Sequence, residues 1–352
     1  MASVVSSADS IEVRTGLELD RARLTEWLCA HVPGVTQLAA VRQFRGGQSN
    51  PTYLLDCGDA RYVLRRKPPG VLLASAHAVD REYRVMAALH GCGVPVARVF
   101  GLCTDPSIIG TEFYVMEFVE GRIFWDTSFP EVSREDRPRY FDALNSAIAA
   151  LHSVDFRAVD LGDFGRSEGY VARQVARWSK QYVEEEAAGR VAAMDRLIDW
   201  LRANTPADGE AAIVHGDYRC DNAIFHPSEP RVLAILDWEL STIGHPVADF
   251  AYHLTMYRLP STAFPGLLGK DLGALGIPSE QEYVAAYCRR TGREQLEHLD
   301  FYIVFCLFRL VAIFHGIRGR VARGTAVSAK ARDYAAQVEN LAELAWQQIP
   351  RG

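Results

Sequence analysis

Asp217 and Asn222 lie in the segment His215-Gly216-Asp217-Tyr218-Arg219-Cys220-Asp221-Asn222, with four residues between them. A second carboxylate, Asp237, follows the apolar run 232–236 in Ile235-Leu236-Asp237-Trp238-Glu239. This spacing suits phosphoryl transfer. One carboxylate, Asp217, takes the proton of an attacking hydroxyl, while an amide, Asn222, and a second carboxylate, Asp237, hold Mg²⁺ on the phosphates of a nucleotide. The plain alternative is a hydrophilic turn before a strand. Four such fixed positions arise by chance in about one in a thousand chains of this length, and the strand that delivers Asp237 stands where the chemistry needs it.

Residues of this kind must be held by defined elements. Residues 17–31 carry apolar positions at helical spacing and stop before Pro33. The character then changes. Residues 37–44, 52–57 and 61–66 are short and rich in β-branched, aromatic or other apolar side chains, and Gly58-Asp59 joins the last two as a hairpin. Residues 76–90 return to helical spacing, and 98–103 and 112–118 read as two more strands. Beyond Gly121 the chain turns mainly helical, with candidates at 133–152, 170–188, 191–203, 279–290, 296–318 and 326–348. Ser133 is the expected N-cap of the first of these. The organisation expected is a lead-in and helix over 1–36, a small β-rich domain with one main helix over 37–118, and a larger helical domain over 119–352 that carries the loop chemistry and the acceptor site.

Bulk properties narrow the function classes. The chain has 352 residues, 49% hydrophobic and 23% charged, which is ordinary for a globular protein. A net charge of -6 argues against a general nucleic-acid binder. Seven scattered cysteines without a C-x-x-C pair fit reduced thiols in a cytoplasmic setting. The first ten residues lack the basic-then-apolar pattern of a signal peptide. The apolar run 301–314 is interrupted by Arg309, so a buried helix is expected there rather than a membrane span.

The other parts of a nucleotide cleft follow in order. Phe44-Arg45-Gly46-Gly47-Gln48-Ser49-Asn50 lies between the first two strands of the meander. Paired glycines are most often an ordinary turn, but here Gly46, Gly47, Gln48, Ser49 and Asn50 are placed to bring backbone N–H groups against phosphates. Residues 61–65 occupy the position of the strand that supplies a phosphate-binding cation in protein kinases. Arg65 is preferred for that role, with Lys67 on the same strand face as the alternative and Arg66 on the other face. Glu82, on the following helix, is the candidate partner of Arg65, although a single helical Glu is usually just a solvated charge. Residues 114–121 read as a hinge, where Glu117 and Val119 would offer backbone groups to a base. His215 is expected to brace its loop, Asp221 to cap or orient it, and Asp249 to start or brace a helix. Glu239 is near enough in sequence to assist Asp237.

With these pieces in order, the chain resembles the aminoglycoside phosphotransferase and choline kinase-like family over most of residues 37–260. The string Leu236-Asp237-Trp238-Glu239-Leu240-Ser241-Thr242-Ile243-Gly244-His245-Pro246 and the run Arg65-Arg66-Lys67-Pro68-Pro69-Gly70 are similar to the branch fused to some acyl-CoA dehydrogenases. The resemblance implies an α+β, bilobal protein-kinase-like fold with a small antiparallel-sheet lobe and a larger helical lobe. It also implies ATP (or GTP) with Mg²⁺ and a small-molecule hydroxyl acceptor, with Asp217 as base, Asn222 and Asp237 as metal ligands, and Arg65 with Glu82 as the phosphate-positioning pair.

Charge bears on the acceptor. Residues 301–332 contain Arg309, Arg318, Arg320, Arg323, Lys330 and Arg332 and no Asp or Glu. Aminoglycosides are polycations and need an acidic cleft. If Arg318, Arg320 and Arg323 border the cleft rather than forming a solvated helix face, they suit an anionic acceptor such as a hydroxyacyl-CoA, which the branch resemblance also implies. The alternatives are an aminoglycoside or other small-alcohol kinase and a catalytically silent nucleotide- or acyl-CoA-binding module. A protein kinase is disfavoured, because Asp237-Trp238-Glu239 replaces Asp-Phe-Gly and no Ala-Pro-Glu follows.

Overall fold

Strand alternation sets the architecture of the part that carries Arg65. In Arg61–Arg66, Tyr62 and Leu64 point into a core shared with the first helix, whereas Val63 and Arg65 point to the opposite face and line a cavity. The structure, a computed structural model, describes residues 3–5, 10–45, 50–70, 78–207, 209–261, 265–326 and 330–350. The chain forms two compact units. The first comprises residues 1–125, 159–161 and 220–241, and the second 126–158, 162–219 and 242–352.

The first unit contains β1 (Ser3–Val5), β2 (Ser10–Ile11), α1 (Arg21–His31), β3 (Ala40–Phe44), β4 (Thr52–Asp56), β5 (Arg61–Arg66), α2 (Val79–Leu89), β6 (Val99–Cys103), β7 (Phe113–Glu117) and β8 (Gly121–Ile123). Six of these strands form an antiparallel sheet in the order β2-β3-β4-β5-β7-β6, so β5 is internal and pairs Arg65 with Thr52 on one side and Tyr114 on the other. Helix α1 is capped by the Asp20 carboxylate, which accepts from the Arg23 N–H. Its Leu24, Trp27 and Leu28 pack against Tyr53, Leu64 and Phe113. Helix α2 buries Val79, Glu82, Val85, Met86 and Leu89, an i, i+3, i+6, i+7, i+10 stripe.

The division along the chain differs from the one expected at 1–36, 37–118 and 119–352 in two respects. Helix α1 belongs to the core of the first unit rather than to an extension. Residues 220–241 also join that unit, through β10 (Ala223–Phe225) and β11 (Val232–Ile235). These two strands form a second sheet in the order β1-β8-β10-β11. Gly121 permits the approach, because a Cβ there would lie 2.3 Å from the Phe225 carbonyl oxygen.

The second unit holds α3 (Arg137–His152), α4 (Tyr170–Glu184), α5 (Ala192–Asn204), β9 (Ala212–Val214), β12 (Thr242–Gly244), α6 (Pro246–Arg258), α7 (Leu272–Leu275), α8 (Glu280–Thr291), α9 (Leu299–Ala322), α10 (Ala331–Ala336) and α11 (Val338–Gln347). Helix α9 is long and apolar enough to cross a bilayer, but fifteen of its residues are buried in the helical core, as expected for the run 301–314. Helix α6 is buried on all sides and packs on α9. Strands β9 and β12 pair antiparallel, Thr242 opposite Val214, and bring the segments before His215 and before α6 together.

Two helix expectations are corrected. Helix α3 begins at Arg137 with Asp136, not Ser133, at the cap position. Ser133 instead closes a turn in which its hydroxyl accepts from the Asp136 N–H at 3.2 Å. The run 326–348 is two helices, because the Gln337 N–H bonds to the Tyr334 carbonyl three residues back and tightens the chain there.

Leu28 tests whether α1 is part of the core. Leu28→Ala is expected to cost about 2–5 kcal/mol in urea unfolding. An effect within about 0.5 kcal/mol, as for a surface position, would contradict the placement.

Candidate functional site

The first unit contains a cavity of about 520 Å³. Val63, Met116, Ile123, Ile224 and Ile235 give it apolar walls, and the end of β7 with the two residues that follow, Glu117 to Val119, forms one edge. Arg65, Glu82, Asn222 and Asp237 lie together among its lining residues. Mostly apolar walls with a few convergent polar groups are what a flat heterocycle bearing a charged tail requires.

Arg65 organises the polar end. Its Nε lies 2.9 Å from Glu82 Oε2, and its Nη2 lies 2.8 Å from Asp237 Oδ1 and 3.7 Å from Glu239 Oε2. The Arg65 side chain is 12% exposed and that of Glu82 2%. Taking either charge out of water alone would cost several kcal/mol, roughly, so each is held by its neighbours. Burial works against the Arg65 cation, but Glu82, Tyr114, Asp237 and Glu239 outweigh it and raise the guanidinium pKa. Burial lifts the Glu82 carboxyl, an effect that Arg65, the Tyr114 hydroxyl and the Asn50 amide offset only in part. Tyr114 donates to Glu82 Oε2 at 3.0 Å and Asn50 Nδ2 to Oε1 at 2.9 Å.

The β10–β11 hairpin positions the other two groups. Ala223 pairs with Ile235, and the Leu236 N–H donates to the Asn222 carbonyl at 2.8 Å, so Asn222 and Asp237 emerge at one end of the hairpin. Asp237 adopts the left-handed backbone region, φ +63°, which costs a non-glycine residue roughly 1–2 kcal/mol. The buried Trp238 secures this turn, its indole N–H donating to the Ile235 carbonyl at 3.0 Å. Asn222 and Asp237 offer oxygen donors only, the set preferred by a hard cation such as Mg²⁺, and Arg65 engages one Asp237 oxygen, Oδ1. Among the described residues no three His, Cys, Asp or Glu side chains gather as a metal cluster. A cation at Asn222 and Asp237 would therefore draw its remaining ligands from phosphate and water, as Mg²⁺ does in nucleotide sites.

The second unit carries the loop with Asp217. Gly216 has φ +84°, a conformation that favours glycine. Asp249, in the first turn of α6, accepts the N–H groups of His215 and Gly216, both at 2.8 Å, and lies 3.1 Å from His152 Nε2. The carboxylate is buried, which by itself would raise its pKa, yet His152, His215 and the two N–H bonds hold it below the usual carboxylate value. His215 Nδ1 accepts the Asp217 N–H at 3.2 Å, which braces the loop. On the other side, Arg309 of α9 donates to the Gly216 carbonyl at 2.7 Å. Asp217 Oδ1 accepts the Tyr252 hydroxyl at 2.5 Å, with Arg219 Nε 3.6 Å away.

The structure thus brings Arg65, Glu82, Asn222 and Asp237 together, with Glu117 and Val119 on the cavity edge. Asp221 also lines this cavity. Gly46, Gly47, Gln48 and Ser49 lie outside the described residues. Asn50 is buried and supports Glu82. Lys67, the alternative cation, pairs with Glu112 at 2.7 Å, and it is Arg65 that lines the cavity. Arg318 pairs with Glu339 and Arg323 with Glu185, so acids from elsewhere in the fold meet two charges of a run that has none of its own. Arg320 is exposed. Sequence reasoning missed Tyr114, Tyr252 and the loop contact of Arg309. It expected Asp249 to start or brace a helix; the residue stands in the first turn of α6, and its carboxylate also braces the Asp217 loop, which the sequence did not reveal.

A family model described as the phosphotransferase enzyme family matches residues 40–302. Acyl-CoA dehydrogenase family member 10 of Mus musculus is 47% identical over 307 residues, which are 86% of this chain and 28% of that protein. The chain spans less than half the length of the curated relatives it matches. The crystal structure of a Ralstonia eutropha protein, provisionally assigned as an aminoglycoside phosphotransferase, is 46% identical with a TM-score of 0.87, covering 94% of this chain and 98% of that one. A thermostable mutant of the aminoglycoside phosphotransferase APH(4)-Ia, solved with ADP and hygromycin B, shares the fold at 13% identity with a TM-score of 0.60, covering 95% of this chain and 99% of that one.

Asp249 gives the second unit an acid sensitivity of definite sign. Its folded pKa lies below the ordinary Asp value near 3.8, so its contribution is complete above that value and is lost as pH falls through the depressed folded value. The melting temperature is expected to fall as the pH drops below about 4. The Asp249→Asn protein should start lower at neutral pH and show a shallower fall over that range. An equal slope in both proteins would contradict the assignment.

Proposed function

This chain belongs to the phosphotransferase enzyme family and has its kinase-like fold, and we propose that it is a small-molecule kinase that moves the γ-phosphoryl group of ATP (or GTP) to an acceptor hydroxyl. The observation that carries the reading is Arg65 in ion pairs with both Glu82 and Asp237 at the polar end of an otherwise apolar cavity. The base would lie against the apolar walls near Glu117 and Val119, and the phosphates would extend toward Arg65. Asn222 and Asp237 would hold Mg²⁺, which when bound neutralises phosphate charge. Asp217 orients the acceptor hydroxyl and takes its proton. The acceptor oxygen bonds to the γ-phosphorus, the bond from that phosphorus to the β,γ-bridging oxygen breaks, and the nucleoside diphosphate leaves with the bond's electron pair. Arg65, permanently charged, offsets the negative charge on the transferring group.

For the acceptor, a hydroxyacyl-CoA is favoured over an aminoglycoside. Two cations, Arg219 and Arg309, lie in the neighbourhood of Asp217, Arg219 at 3.6 Å and Arg309 on the adjoining Gly216 carbonyl. They would repel a polycation and suit an acceptor with anionic or carbonyl oxygens. The curated relatives are named as acyl-CoA dehydrogenase family members, which supports the same class. Arg318, Arg320 and Arg323 remain a proposed second contact for such an anion only if it displaces Glu339 and Glu185 from the first and last of them. A cytoplasmic setting is proposed from the seven cysteines, which are all free thiols.

Asp217→Asn is expected to retain nucleotide affinity and lose phosphoryl transfer by about 10²–10⁴-fold. Turnover near that of the parent on the same acceptor would sink the assignment. Thermal shift separates the kinase from a silent binding module. ATP should raise the melting temperature with Mg²⁺ and much less without it, equivalent to about 2.7 kcal/mol at a hundredfold excess over Kd. Stabilisation by coenzyme A alone, with none from ATP and Mg²⁺, would support the binding module instead.

A further inference from the structure

We propose that Tyr252 is a positioning residue for the transfer, fixing one oxygen of Asp217 so that the other faces the acceptor hydroxyl, and that Arg309 holds Tyr252 and the Asp217 loop in one arrangement. The inference rests on the phosphotransferase reading. Its basis is a set of contacts confined to the second unit and made by two buried helices.

Helices α6 and α9 meet along a regular stripe. Tyr302 lies against His245, Cys306 Sγ donates to the Ala248 carbonyl at 3.3 Å, and Arg309 lies over the ring of Tyr252. The α9 members are spaced i, i+4, i+7, so they share one helix face. The last pair of the stripe differs from the others, because it reaches the loop of the proposed base. The Arg309 guanidinium sits 5.0 Å from the Tyr252 ring centroid and 5.6 Å from that of Trp178. It donates from Nη2 to the Gly216 carbonyl at 2.7 Å. Burial works against this cation, but its surroundings, the Tyr252 side chain first and the Asp217 carboxylate among them, outweigh that effect and keep the guanidinium charged in place. Arg309 therefore fixes the backbone immediately before Asp217, while its ring contact fixes Tyr252.

Tyr252 is buried, and its hydroxyl donates to Asp217 Oδ1 at 2.5 Å. Burial first, and then the Asp217 carboxylate, keep its pKa well above that of an ordinary tyrosine, so at neutral pH the hydroxyl is always a donor. A carboxylate with one oxygen held in this way cannot spin freely about its Cβ–Cγ bond. Its second oxygen points in one direction, which is the requirement for a group that must meet a hydroxyl proton in line with a phosphorus atom. Asp249 holds the N–H groups of His215 and Gly216 from the same helix, three residues before Tyr252. One helix, α6, thus sets both the loop backbone and the orientation of the carboxylate.

The test is Tyr252→Phe in the full chain, assayed with ATP and Mg²⁺ against 3-hydroxybutyryl-CoA, kanamycin and choline, and crystallised in parallel. On whichever acceptor the parent phosphorylates, kcat should fall by about 10- to 100-fold, the scale of a displaced catalytic group, with both KM values within twofold and the melting temperature little changed. In the crystal, the Asp217 carboxylate should rotate or occupy two orientations. An unchanged kcat, or a rise in KM with kcat preserved, would overturn the inference while leaving the phosphotransferase reading intact. If the parent phosphorylates none of the three, that reading fails for these acceptors and the crystal decides the positioning claim alone. A second orientation of Asp217 then supports it, and a single unchanged one overturns it.

Discussion

One buried cation governs the first unit. Arg65 lies on an internal strand, faces away from water, and is surrounded by Glu82, Asp237 and Glu239. Each of these acids comes from a different stretch of chain from Arg65, Glu82 from α2 and the other two from the turn that follows β11. Burying the cation is tolerable only while these acids stay close. The ion pairs therefore pin α2 and the Asp237 turn to β5, and these are the elements that line the polar end of the cavity. Arginine can do this where lysine would not, because its planar fork reaches two carboxylates at once.

The second unit solves a related problem with an anion. Asp249 is buried at the N-terminal turn of α6, where helix N–H groups favour negative charge, and it closes the chain around His215 and Gly216. Strain and support are paired in both units. Asp237 takes a left-handed backbone and is secured by the Trp238 indole, while Gly216 takes its positive φ between an acceptor of its N–H and a donor to its carbonyl. Both turns present a carboxylate at a defined angle.

Much of this was legible in the sequence, for physical reasons. Strand β5 occupies the expected 61–66, because β alternation with flanking turn residues is a local signal. The six-stranded antiparallel sheet and larger helical part follow the expected α+β organisation. Asp217, Asn222 and Asp237 stood out through spacing alone. What escaped was non-local. Tyr252 and Asp249 sit three residues apart on one helical face, but nothing in the sequence says which loop that face meets. Arg309 reads as one more charge in a basic run, and only burial separates it from Arg318 and Arg323, whose partners, Glu339 and Glu185, also lie outside the run. The short strands β8, β9, β10 and β12 have three residues each and carry too little periodicity to register.

The proposed function sets nucleotide phosphates at Arg65, a hard cation at Asn222 and Asp237, and proton abstraction at Asp217. On that proposal the γ-phosphorus ends on a carbon-bound oxygen. ³¹P NMR of the full chain with ATP, Mg²⁺ and a hydroxyacyl-CoA tests this directly. The account predicts that the γ-phosphate resonance of ATP gives way to a phosphomonoester resonance, in equal amount with newly formed ADP. Formation of inorganic phosphate alone, or ATP that remains intact with every hydroxyl acceptor offered, would contradict it.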